Sequence, residues 1–309
     1  MVANQITHIS QWQNDIMQKD NEIITISDAL CVEGGDNGES YTLTPTDNKT
    51  VQPIALMRLG IFVPGSKRLP SRGYVSVDAT QELGTLELAK SEGYTDISIR
   101  GSRLDMSTDF KTWIGVIRAF SKHGKSSNRI TLPFTEFAKL TGIAVDDINQ
   151  RSRDRFFDSL VRLSSLVVSF KNKDGSKVTI THLLQYATYD IKSDTISLEG
   201  DSRLWELYSY DHKVLLQLKA IQALPRKESA QALYVYIESM PNSALQLSLP
   251  RLRERLNLRS SLSAQNLAVR NAMKELEKIG YLTYSEVKKN GTVFFLIHSR
   301  KPGLRPQLN

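Results

Sequence analysis

The sequence predicts an α+β fold: two tandem winged helix-turn-helix domains preceded by a poorly ordered N-terminal segment. Three observations predict it. Leu245 to His298 reads as strand, short helix, turn, long helix and hairpin, the order of a helix-turn-helix with a wing. The same pattern of apolar positions occurs earlier in the chain: Leu132, Phe134, Phe137 and Ile143 precede Leu247, Leu249, Leu252 and Leu258 by 115 residues, and Phe156, Leu160 and Leu163 precede Ala272, Leu276 and Ile279 by 116. The turn Lys173-Asp174-Gly175 takes its place 116 residues before Lys289-Asn290-Gly291. Finally, residues 1–50 are polar and acidic, with a loop signature at Glu33-Gly34-Gly35-Asp36-Asn37-Gly38. The expected division is 1–50, a flexible acidic segment; 51–200, the first winged-helix domain; and 201–309, the second.

Taken in order, the first 50 residues offer only a short helix near Ile6–Met17. Thr50 to Gly65 holds an apolar cluster, Leu56, Leu59, Ile61, Phe62 and Val63, closed by Pro64, and reads as a strand. Ser66–Gly73 reads as a basic loop, Gln81–Glu92 as a helix and Asp96–Arg100 as a strand. From Leu104 the first domain begins in earnest. Asp109–Phe120 is an apolar helix with Asp109 at its positive end and Trp113, Ile117 and Phe120 as core. The long helix of this copy runs from Asp147 to Leu163, with Phe156, Leu160 and Leu163 inward and Arg151, Arg155 and Arg162 on the other side. Asp154 and Asp158 stand among these arginines and can form i,i+4 pairs, which makes this helix the weaker candidate for reading bases. Asp190–Tyr210 reads as a strand and a short helix. His212–Leu224 and Glu228–Ser239 read as two apolar helices separated by Pro225.

In the second copy the long helix places Ala268, Ala272, Met273, Leu276 and Ile279 on one side and Arg270, Asn271, Lys274 and Lys278 on the other. A cationic face is most often only a solvated surface. Here it is joined by Arg251, Arg253 and Arg255 on the short helix Pro250–Leu256, by Arg259, and by Lys288 and Lys289 beside a hairpin turn. Such a helix fits a DNA major groove, with long donors reaching phosphates and base edges.

Charge distribution agrees. Residues 1–100 hold 8 basic and 13 acidic residues, whereas 101–309 hold 32 and 20. Residues 251–309 alone hold 12 basic and 4 acidic, an excess that points to a polyanionic partner, most simply nucleic acid. Anionic lipid would need an amphipathic helix with an aromatic stripe, and none is present. No run of about 18 apolar residues predicts a membrane span. The N-terminal MVANQITHIS lacks the charge and apolar core of a secretory signal, so a cytoplasmic location is expected.

Enzymatic readings find little support. Cys31 is the one cysteine, which excludes a disulfide framework and cysteine-based zinc sites. Gly124-Lys125-Ser126 ends like a phosphate loop, but Ala119 occupies the position of the first required glycine, and a helix precedes it where a strand is needed. His8, His123, His182, His212 and His298 form no metal-binding pair of the kind a nicking initiator would use with a tyrosine. No catalytic residue, metal or cofactor is expected.

Several stretches carry a family resemblance: Thr50–Pro64 (TVQPIALMRLGIFVP), Leu104–Gly124, Leu204–Pro241, Arg251–Leu256 (RLRERL), Ile279–Leu282 (IGYL) and His298–Pro302 (HSRKP). The chain resembles the RepA-type plasmid replication initiators of IncFIB-like plasmids and a related plasmid-prophage, from about residue 50 to 302. The first 50 residues and Asp146–Asn172 match least. The resemblance implies binding to short direct repeats (iterons) in a plasmid origin, control of copy number, and repression of the protein's own promoter. It implies a homodimer in equilibrium with an active monomer, the first domain serving dimerisation as well as DNA contact. The partners implied are the host initiator ATPase, the replicative helicase and chaperones that split dimers. A winged-helix transcriptional regulator without a replication role is the alternative, and a single palindromic target would mark it.

Overall fold

The computed structural model describes residues 25–26, 30–34, 39–42, 45–58, 60–65, 74–78, 94–124, 127–172, 178–210, 213–240 and 245–300. The helices expected at Ile6–Met17 and Gln81–Glu92, and the loop Ser66–Gly73, lie outside these residues. In chain order the elements are β1 (Cys31–Gly34), β2 (Glu39–Thr42), β3 (Lys49–Pro53), α1 (Ile54–Arg58), β4 (Phe62–Val63), β5 (Tyr74–Asp78), β6 (Tyr94–Ser102) and β7 (Leu104–Asp105). Then come α2 (Asp109–His123), β8 (Arg129–Pro133), α3 (Phe134–Leu140), α4 (Gln150–Ser164), β9 (Val167–Asn172), β10 (Val178–His182), β11 (Tyr186–Asp190) and β12 (Thr195–Glu199). Last are α5 (Ser202–Tyr210), β13 (Lys213–Gln217), α6 (Leu218–Gln222), α7 (Glu228–Glu238), β14 (Leu245–Ser248), α8 (Leu249–Leu256), α9 (Leu262–Lys278), β15 (Leu282–Lys289) and β16 (Thr292–Arg300).

The C-terminal winged helix is α7, β14, α8, α9 and the hairpin β15–β16. β14 pairs antiparallel with β16, which pairs with β15. Its helix ends follow local chemistry. The Ser248 side chain accepts the Arg251 N–H, Pro250 sits in the first turn, and Asn257 closes α8 in the left-handed conformation (φ 45°). α9 stops at Gly280 (φ 73°), where the Gly280 N–H bonds to the Glu277 carbonyl and the Tyr281 N–H to the Leu276 carbonyl, the paired pattern that only a left-handed residue permits. Val269, Ala272, Met273 and Leu276 form the buried stripe of α9. Val269 is at its centre, whereas the expected Ala268 and Ile279 are only half-buried at its edges.

The N-terminal winged helix is α2, β8, α3, α4 and β11–β12. β8 pairs with β12, and β12 with β11. Trp113, Ile117 and Phe120 are fully buried as expected, and Phe156 packs edge-on against Phe134 and Phe137, with ring centroids 5.7 and 5.9 Å apart. α4 starts later than expected, at Gln150. Asn149 and Ser152 there exchange side-chain-to-backbone hydrogen bonds across the first turn.

The repeat holds through the helices and breaks at the wing. The hairpin that closes against β8 is β11–β12, with its turn at Ile191–Asp194. The expected turn at Lys173-Asp174-Gly175 lies outside the described residues. The strands flanking it, β9 and β10, join another sheet in the order β10-β9-β6-β5. The first copy thus carries an extra hairpin between its long helix and its wing.

Two other expectations are corrected. The segment read as a helix over His212–Leu224 is strand β13 followed by the short α6. Pairing of β13 with β3, in the register Leu215↔Val51, overrides the local preference of an apolar run that periodicity cannot assign. Thr50–Gly65 is not one strand. It is the end of β3, then α1, then β4, which pairs in parallel with β7.

This N-terminal stretch is wedged between the two winged helices. Buried Gln52 accepts hydrogen bonds at Oε1 from Trp113 Nε1 of α2 (2.9 Å) and the Tyr208 hydroxyl of α5 (3.1 Å). Arg58 donates through Nε to the Ser239 carbonyl at the end of α7 (3.0 Å). Arg103 donates to the Pro64 and Asn257 carbonyls (2.8 and 3.2 Å). Ile26 and Leu30 also belong to the continuous core that results.

Candidate nucleic-acid interface

The buried stripe of α9 dictates what its opposite side presents. Asn271, Lys274 and Lys278 are exposed there, one turn apart, as the sequence predicts. Arg270 stands at the edge of that face and is engaged. Its Nη2 and Nε donate to the Glu286 carboxylate of β15 at 2.7 and 3.0 Å. These hydrogen bonds hold the Glu286 carboxyl below the usual glutamate range. Arg270 therefore fastens the wing to the recognition helix as well as edging its cationic face. Lys288 and Lys289 are exposed at the wing tip, beside the turn Asn290-Gly291 (φ 49° and 78°).

The three arginines of α8 separate into different roles. Arg251 is exposed and donates to the Tyr236 hydroxyl (2.6 Å). Arg253 is half-buried. Arg255 is corrected: it is 7% exposed, so it does not reach phosphate. Its Nη2 donates to the Met57 carbonyl of α1, and its guanidinium lies over the Tyr236 ring, 5.2 Å from the centroid. Gly60 makes room for it. Gly60 is left-handed (φ 69°), and a Cβ there would fall on the Arg255 guanidinium. Arg259, just past α8, is exposed.

In the N-terminal winged helix, Arg151 and Arg155 are exposed on α4, but Arg162 is not available to a ligand. It forms an ion pair with Asp109 of α2, Nη2 to Oδ1 at 2.7 Å, and Asp109 is fully buried. Burial raises the Asp109 carboxyl pKa despite that partner. Asp109 stands in the first turn of α2 as expected, and it also neutralises Arg162. Between Arg151 and Arg162 the outer surface of α4 carries Asp154, Phe157, Asp158 and Val161, all exposed. That surface is less suited to a polyanion than that of α9.

Two functional features escape a sequence reading. Arg153 of α4 pairs with Asp194 in the β11–β12 turn, donates to the Tyr189 hydroxyl (2.8 Å) and lies 4.5 Å from the Phe134 ring centroid. Each recognition helix is therefore fastened to its own wing by an arginine–carboxylate pair, Arg153–Asp194 and Arg270–Glu286. The two arginines are 117 residues apart, close to the repeat offset, which is the signal that could have found them. The second feature is Arg226, exposed before α7 and lining an open cleft with Asn271 and Lys274.

Among the described residues, no three His, Cys, Asp or Glu side chains gather as a metal site, and no helix is long and apolar enough to cross a membrane.

Comparison with known proteins follows from this geometry. Residues 98–238 match a family described as initiator replication protein, WH1. Replication protein RepA of Salmonella typhi is 51% identical over 292 residues, 93% of this chain and 83% of its own length. RepFIB replication protein A of Escherichia coli is 50% identical, over 87% of this chain and 84% of its own. The crystal structure of domains 2 and 3 of RctB shares the fold at 14% identity, with a TM-score of 0.50 over 80% of this chain and 98% of that one. With two winged helices in series and identity at this level along most of its length, the chain belongs to the RepA-type family of plasmid replication initiators.

Proposed function

We propose that this initiator binds repeated sites, iterons, in plasmid origin duplex, with α9 in the major groove and the β15–β16 wing on adjacent phosphate. The observation that carries the reading is the exposed cationic ridge of α9, Lys274 and Lys278 with Asn271, together with exposed Lys288 and Lys289 at the wing tip and exposed Arg259. Arg251 and Arg253 extend it along α8. Residues 201–309 are the main DNA-binding part. Residues 51–200 provide dimerisation and a supplementary DNA contact through Arg151 and Arg155. Occupancy of the repeats starts replication as a monomer, limits copy number as a dimer, and represses the promoter that drives the gene. The host initiator ATPase, the replicative helicase and dimer-splitting chaperones act with it, a reading that rests on family membership alone.

Footprinting of the purified protein on its own plasmid's origin tests this. Protection of several direct repeats of about 20 base pairs is expected, since two reading units about one helical turn apart span that length. Protection of one palindrome and nothing else would overturn it in favour of a transcriptional regulator.

A further inference from the structure

The recognition helix divides its outward surface into two chemically different halves. From Ser260 to Val269 the sequence SSLSAQNLAV contains no charged residue, and every cation of α9 lies beyond it, from Arg270 onward. In the neutral half the exposed residues are Ser260, Ser261, Leu262, Ser263, Ala264 and Leu267. Leu267 lies on the same strip as Asn271, Lys274 and Lys278, opposite the buried Val269, Ala272, Met273 and Leu276, and is 58% exposed. Scattered surface leucines need no explanation. A leucine centred on the outward strip, with small hydroxyl and methyl neighbours one turn back and an amide one turn ahead, sits where a groove would enclose it.

In helix-turn-helix docking the N-terminal residues of the recognition helix contact base edges. Cations in the later half and on the wing match phosphates, whereas a neutral, small-residue half allows close approach to the groove floor. That floor offers one apolar group, the C5-methyl of thymine. We propose that Leu267 is a specificity-determining residue, packing on a thymine methyl in each origin repeat, with Asn271 facing the neighbouring base edge. The proposal rests on the assignment of α9 as the major-groove helix.

The test uses the full chain and duplexes carrying one origin repeat, in which each thymine in turn is replaced by deoxyuridine, so that only the methyl is lost. Binding of the native protein should weaken about fourfold at one or two positions, the effect of uncovering one methyl-sized group. Leu267→Ala should bind the thymine duplex correspondingly less well and become indifferent to uridine at those positions, while keeping the native salt dependence. Because Leu267 is exposed, the variant should unfold at the native temperature, which circular dichroism checks. Uridine without effect at every position, or uridine sensitivity that persists in Leu267→Ala, overturns the proposal while leaving α9 as a DNA-binding helix. A failure of the native chain to bind the repeat even at low salt overturns the DNA-binding assignment itself.

Discussion

Salt dependence of origin binding offers a quantitative test of which basic residues meet phosphate. Twelve arginines and lysines are candidates by sequence. If all of them neutralised a phosphate, log K would fall against log salt with a slope near −11, at about −0.9 for each contact. The structure removes several. Arg255 is buried against Met57, Arg162 is paired with Asp109, and Arg270 is paired with Glu286. Exposed in the C-terminal part are Arg251, Arg259, Lys274, Lys278, Lys288 and Lys289, with Arg226 beside them. Six or seven contacts here, with Arg151 and Arg155 of α4 adding up to two more, give a slope of about −5 to −8, so raising salt from about 0.05 to 0.2 M should weaken binding by a thousandfold or more. Fluorescence anisotropy with an origin duplex across a potassium chloride series measures this directly. Replacing Lys288 and Lys289 together by alanine should make the slope shallower by about 2. A native slope shallower than about −2, or a slope the wing substitutions leave unchanged, would refute the assignment of this ridge to phosphate.

Three other outcomes are expected. Arg255→Ala should destabilise the fold by about 2 kcal/mol in urea unfolding, because the Met57 carbonyl loses a buried donor; a loss of DNA affinity with native stability would contradict that role. Asp109→Asn should cost about 3 kcal/mol, because it strands the Arg162 charge against a buried neutral partner, and a neutral result would show the ion pair to be dispensable. The Glu286 carboxyl is held low by Arg270, so this pair stabilises the fold throughout the range above the ordinary glutamate pKa and its contribution is lost as pH falls through the lowered value. Arg270→Gln should therefore raise the Glu286 titration midpoint followed by carbon NMR, and an unmoved midpoint would rule out the fastening of wing to helix.

What the sequence made legible was local. α9 was readable because one stripe of apolar residues at helical spacing fixes both its buried and its exposed sides, and the turn Asn290-Gly291 has few alternatives. The strand β13 was not, because Val214-Leu215-Leu216 fits a buried helix or strand equally well and the deciding partner, β3, is far off in sequence. The hairpin β9–β10 was legible around Lys173-Asp174-Gly175, but its place was not: it pairs with β6, and the wing of its own winged helix is β11–β12. Among the site residues, α8 displays arginines at 251, 253 and 255, and nothing in that spacing says which is enclosed. The ring of Tyr236 and the carbonyl of Met57 decide it. Arg162 is similar, since its carboxylate partner lies on another helix, 53 residues earlier.

The pairing of β3 with β13 also bears on how the chain is made. Val51 leaves the ribosome about 160 residues before Leu215, its register partner. At ordinary elongation rates that is a delay of about 8 to 30 seconds, during which the edge of β3 lacks its strand partner and α1 lacks the Ser239 and Arg255 groups it binds. The N-terminal winged helix can complete its own three-stranded sheet in that interval. The wedge that joins it to the C-terminal one must wait for synthesis to pass Leu215, Ser239 and Arg255. Newborn chains therefore pass through a stage in which one half can close while the seam to the other stays open.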